Sequence, residues 1–109
     1  MDDPDDSLRT VPNIRDDLAT DVLKVRATTR PAAAAGAIAG ILREGGSPEL
    51  QAIGAAAVNQ AVKAVIIARA YLIQDGLDLC CIPGFAEVSI AGEERTAVRL
   101  RVEGRLRLD

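Results

Sequence analysis

From Asp21 to Ala27 apolar and polar residues alternate. Leu23, Val25 and Ala27 point one way and Val22, Lys24 and Arg26 the other, the period of a half-buried strand. Thr28-Thr29-Arg30-Pro31 then opens a helix. Proline at the first helical position has its φ pre-set, and it pushes Arg30 out of the helical region, which makes the corner sharp. Ala34, Ile38, Ile41 and Leu42 recur at helical spacing as the buried stripe, Gly45-Gly46 ends the helix, and Pro48 prevents its resumption. Leu50 to Ala55 reads as a second strand that turns at Gly54 into a long helix ending near Asp75-Gly76. Leu77 to Ile82, apolar but for Asp78, reads as a strand covered on both faces, and Pro83-Gly84 breaks it. Glu87 to Ile90 and Arg95 to Val102 alternate around Ala91-Gly92-Glu93-Glu94, which reads as a hairpin. In the last strand Val98, Leu100 and Val102 face inward; Arg95, Arg99 and Arg101 face outward. The order is βαβαββ, an α+β two-layer α/β sandwich with both helices on one sheet face and the first two strands parallel.

The second helix departs from the usual amphipathic pattern. Asn59, Gln60 and Lys63 share one side of its first half, and Ile66, Ile67 and Ala70 occupy that side further on. A surface helix keeps a polar stripe along its length; one apolar all round is covered on more than one side. In a chain of 109 residues one cover is its own sheet, and the other is most simply a second copy. A domain this small buries only about 60–65% of its unfolded surface, which also favours association. The pattern predicts a homodimer or higher homo-oligomer with Asn59, Lys63, Ile66, Ile67 and Ala70 at the seam.

Composition refines this picture. Hydrophobic residues make up 49%, but Tyr71 and Phe85 are the only aromatics, so the core is aliphatic and alanine-rich. The net charge of −3 divides unevenly: residues 1–20 carry −4 and residues 21–109 carry +1. Residues 1–20 therefore read as a flexible acidic extension, and residues 21–109 as the one folded domain. Val11, Ile14 and Leu18 could form a weak amphipathic turn against a protein partner. The acidic extension is also expected to compete with an anionic ligand for the basic loop. No apolar run looks long enough for a membrane span and the N-terminus is acidic, so a cytoplasmic protein without membrane contact is expected. Histidine is absent, which removes the commonest general base and metal ligand. Adjacent Cys80 and Cys81 read as small buried side chains pointing to opposite faces. No metal, cofactor or catalytic constellation is expected.

Three clusters qualify as binding sites. The corner Thr28, Thr29 and Arg30 lies at a helix N-terminus, where unpaired N–H groups and partial positive charge suit a phosphate; equally, a threonine there could cap the helix. Asn59, Gln60 and Lys63 could contact bases or phosphate, or could form a hydrogen-bonded patch that fixes dimer register. Arg95, Arg99 and Arg101, with Lys24 and Arg26, would make a modest basic surface if the first and last strands neighbour one another. Glu87 and Glu103 interrupt it and no aromatic offers stacking, so a solvated sheet face is the alternative.

Several stretches resemble the stage V sporulation protein S family: Ala52-Ile53-Gly54 through Asn59-Gln60 and Ala61-Val62-Lys63-Ala64, Leu23-Lys24-Val25, Thr29-Arg30-Pro31, Asp78-Leu79-Cys80-Cys81-Ile82-Pro83 and Gly92-Glu93-Glu94-Arg95-Thr96-Ala97. They stand in order across about residues 21–103. That family resembles the Alba fold of dimeric chromatin and RNA-binding proteins, although Ala-Ile-Gly and the following Ala-Val are one residue further apart here. The resemblance implies an Alba-like sandwich, a developmental regulatory role without enzymatic activity, and weak RNA or DNA contacts directed at the backbone. In Alba-like proteins the loop after the first strand carries basic residues, whereas Alba's paired lysines are not present here. The hairpin tip that reaches into a groove in those proteins is acidic in this chain, Gly92-Glu93-Glu94-Arg95. A protein–protein assembly module without nucleic-acid binding is the competing reading.

Overall fold

The computed structural model describes residues 21–107; the extension and amphipathic turn read for residues 1–20 lie outside the described residues. The chain runs β1 (Val22–Val25), α1 (Pro31–Arg43), β2 (Glu49–Ala52), α2 (Ala55–Leu72), a single 3₁₀ turn (Ile73–Asp75), β3 (Leu77–Ile90) and β4 (Glu93–Leu106). This is the βαβαββ order read from the pattern. The four strands form one mixed sheet in the order β1-β2-β4-β3, with β1 parallel to β2 and the other pairs antiparallel.

Alternation sends Leu23, Val25, Leu50, Ala52, Leu100 and Val102 into one cluster with the helices. From α2 the cluster takes Ala57, Ala61, Ala64, Val65, Ala68 and Leu72, spaced at three and four residues along one side. Four of these six are alanine, so the sheet's Leu50, Leu100 and Val102 supply most of the bulk between the layers. From α1 it takes Ala35, Ile38, Ala39 and Leu42. The expected stripe is thus rotated: Ala34 and Ile41 are only half-buried, because α1 packs against α2 as well as against the sheet. Pro48 is fully buried beneath this layer, and its carbonyl accepts from the Val102 amide at 2.9 Å, tying the α1–β2 loop to β4.

Three boundaries differ from the sequence reading. The second strand ends at Ala52, and Ala55 is already helical. Gly54 makes the corner at φ +94°, a region nearly closed to residues with a Cβ. Pro83-Gly84 does not break β3, which pairs with β4 without interruption from Leu77↔Leu106 to Ile90↔Glu93. Because β3 is the outermost strand, proline's missing N–H can face away from the ladder. For the same reason Leu77 to Ile82 is only partly covered, not sealed on both faces. The hairpin turn is two residues, Ala91 at φ +53° and Gly92 at φ +80°, the doubly left-handed turn whose twist matches paired strands.

Residues Ala55–Asp75 are long and apolar enough, at mean hydropathy 1.3, to pass the length-and-composition test for a membrane span, contrary to the expectation that no such run exists. In this fold Ala57, Ala61, Ala64, Val65, Ala68 and Leu72 of that span are buried, whereas Val62, Ile66 and Ile73 are exposed, and 33% of the window is buried in all. Two ion pairs fasten the helix ends: Arg43 Nε to Asp75 at 2.7 Å, and Arg69 to both carboxylate oxygens of Asp78 at 2.7 and 3.1 Å.

Candidate functional site

The corner between β1 and α1 is closed by its own hydroxyl. Thr29 Oγ1 accepts from the Arg26 amide at 2.7 Å, and the Thr29 amide donates to the Arg26 carbonyl at 3.0 Å. That turn occupies the hydroxyl, so neither threonine caps the helix. Arg30 is the N-cap residue in an extended conformation, and α1 begins with no side-chain cap and no acidic residue in its first turn. Pro31 brings no N–H, and the Ala33 and Ala34 amides both donate to the Arg30 carbonyl at 3.1 Å, so the first turn offers the Ala32 N–H and the helix dipole, with Thr28 and Arg30 exposed beside them.

One contact joins this corner to the second cluster. Gln60 Nε2 donates to the Thr29 carbonyl at 2.9 Å, bracing the loop against α2. Asn59 and Lys63 stand exposed nearby on the same helix. The two clusters, 31 positions apart at this contact, thus form one surface. A groove of about 450 Å³ continues it along the free edge of β1, lined by Lys24, Arg26, Thr28, Thr29 and, on the helix side, Ala33, Ala34 and Ala37. The outer side of α2 is otherwise apolar: Val62 and Ile66 are exposed, Ile66 at 62%, Ala70 lies beyond them, and Ile73 follows, exposed, in the 3₁₀ turn. Ile67 is half-buried and packs on the core, so it lies at the flank of this stripe.

The remaining predicted residues sit elsewhere. β2 lies between β1 and β4, so the condition for one continuous arginine face is not met. Lys24 instead lines up with Gln51, Arg99 and Gly84 in one cross-strand row on the face without helices, and Val22 lines up with Glu49, Arg101 and Ile82 in the next. Glu49 is buried there; it accepts from Gln51 Nε2 at 2.9 Å and lies 4.0 Å from Arg101 Nη2. Arg99 lies over Gly84: a Cβ at position 84 would come within 2.9 Å of its Nη2. The Arg99 Nε is buried without a hydrogen-bond partner among the described residues. Nothing in composition or periodicity marks Arg99 apart from Arg101; the distinction comes from which strand neighbour each one meets.

Reactive chemistry is sparse. Among the described residues no group of three potential ligands could hold a metal. Burial, and secondarily the Cys80 thiol next to it, pushes the Cys81 thiol up, away from the thiolate form that reacts. Asp78 is held down to about 2, first by its Arg69 hydrogen bond and then by the Leu79 amide, with the Arg69 and Arg107 charges adding and desolvation opposing. That carboxylate sits in a structural clamp between α2 and β3.

Among known families, a model described as Stage V sporulation protein S (SpoVS) matches residues 21–105, nearly the whole of the described chain.

Proposed function

From the premise that the chain belongs to the stage V sporulation protein S family, and so to a sporulation-related regulatory family, we propose that it binds RNA or DNA weakly, through phosphate contacts, as a dimer. The observation that carries this reading is the Gln60–Thr29 hydrogen bond. It draws the uncapped α1 N-terminus, Arg30 and the Lys24–Arg26 groove into one surface with Asn59 and Lys63. Main-chain N–H groups and cations serve phosphate without reading sequence, and no aromatic stands in this set to stack bases. Association through Val62, Ile66 and Ala70 would bury the exposed apolar stripe and set two such surfaces side by side, supplying more phosphate contacts than one copy can. An intracellular site of action accords with that role.

The experiment is a salt titration of RNA and DNA binding, with solution mass measured alongside. Phosphate contacts predict affinity falling linearly with log salt. Dimeric mass, reduced to monomer by Ile66→Asp, supports the pairing. No binding at low salt would leave the regulatory protein acting by protein–protein assembly, the reading that the acidic hairpin tip favours.

A further inference from the structure

The sheet face without helices carries a cation that its surroundings do not satisfy. Glu49 engages Gln51 and approaches Arg101, whereas the neighbouring Arg99 keeps a buried Nε with no partner among the described residues. The absent side chain at Gly84 is what lets this guanidinium lie down on the sheet. At the edge of the same face Val22, an apolar side chain in register with Glu49, is only 7% exposed although no helix among the described residues covers that side. Ile82, at the other end of its row, is exposed. A surface with an underused cation in one row and apolar Val22 and Ile82 in the next fits an acidic peptide with apolar positions better than a uniformly charged nucleic-acid backbone. A peptide can set carboxylates on Arg99 and apolar residues in the row that holds Glu49.

We propose that residues 1–20 of this same chain dock on the helix-free sheet face, with aspartates on Arg99 and Val11, Ile14 or Leu18 on Val22 and Ile82. The segment carries −4 against +1 for the rest, and it runs directly into β1 one residue before Val22. Reach is no obstacle. From β1 to β4 is two strand spacings, roughly 10 Å, while twenty residues span about 30 Å even when helical. Docking gives the aspartates a cation and covers Ile82, which otherwise stands in water. It also places the acidic segment beside Lys24, in the Arg99 row, and away from the Thr28–Arg30 corner where the sequence alone sets it in competition. The proposal does not depend on nucleic-acid binding, and its test is run with none present.

The full-length chain is digested with trypsin at low salt, following cleavage after Arg9 and Arg15. Two full-length variants accompany it: Arg99→Gln, and one with Asp2, Asp3, Asp5, Asp6, Asp16 and Asp17 all changed to Asn. Cleavage about tenfold faster in both variants is expected, the change produced when the docked population falls from about nine-tenths to near zero. Amide resonances of Val22, Gln51 and Arg99 should shift in the six-Asn variant, which leaves the domain itself intact. Equal cleavage in all three proteins with those resonances unmoved overturns the proposal. Protection lost only in the six-Asn variant places the segment on another cationic surface, and protection that rises with protein concentration places it on a second copy; either outcome overturns docking at Arg99 within one chain.

Discussion

The two faces of one sheet are built from alternate residues of the same strands, yet they do opposite work. On the helix side Val25, Leu50, Ala52, Leu100 and Val102 are buried in a purely aliphatic layer. One residue along each strand, on the bare side, stand Lys24, Gln51, Arg99 and Arg101, half-exposed and joined by a few polar contacts. The side-chain period of two makes this division absolute: no residue can belong to both layers without a slip of register. Stability therefore resides in the helix-covered face, and the bare face is free to carry charge.

The comparison breaks most directly at neighbouring positions 50 and 51. Leu50 is fully buried, so Leu50→Ala should cost about 3 kcal/mol through lost burial and the cavity left behind. Gln51→Ala, on the other face, should cost about 1 kcal/mol or less, chiefly through the Glu49 hydrogen bond. Urea unfolding of both variants checks the pair, and comparable losses would refute the division of labour. A smaller effect, of opposite sign, is expected at the hairpin that delivers β3 and β4 to both faces. Ala91 at φ +53° sits where a Cβ is strained, so Ala91→Asn should raise stability by about 0.5–1 kcal/mol in the same assay. Gly84→Ala sharpens the picture of the bare face. Its methyl meets only the mobile end of Arg99, so unfolding should change by less than about 0.5 kcal/mol while the guanidinium moves aside. A loss of several kcal/mol would mean that Arg99 is held rigidly by the core.

The smallest effect is at the clamp between α2 and β3. The Asp78 carboxyl ionises at about 2 in the folded chain against an ordinary 3.8. A lowered carboxyl pKa stabilises the fold above the ordinary value, and that contribution disappears as pH falls through the lower one. The chain should therefore lose more of its melting temperature between about pH 4 and about pH 2 than Asp78→Asn does. Parallel melting curves would show that the Arg69 pair contributes nothing.

Much of the covered face is legible in the amino-acid sequence alone. Period-two alternation, Pro31 at the helix start, and Gly54 at a positive-φ corner are local signals, and they place β1, α1 and α2 within a few residues. Proline at position 83 misleads because its effect depends on whether the strand is outermost, which is a property of sheet order and not of the local sequence. The Arg99–Gly84 contact lies closer to hand. Reading Ala91-Gly92 as a two-residue turn sets Ile90 opposite Glu93, and counting away from the turn along both strands brings Gly84 opposite Arg99. A four-residue turn shifts that register and hides the pair. The Gln60–Thr29 bond has no comparable signal, since it joins a side chain on one helix to a loop carbonyl placed only by packing.

The corner and the bare sheet also separate Arg30 from Arg99 by role, and RNA binding tests that separation most directly. Binding by full-length protein should be measured across a salt series for Arg30→Gln and Arg99→Gln side by side. Loss of Arg30 at the corner should weaken binding and flatten the salt slope by about one unit, while loss of Arg99 should leave the slope unchanged. If Arg99→Gln flattens the slope and Arg30→Gln does not, the nucleic acid lies on the bare sheet, and the assignment of corner and sheet to different partners is wrong.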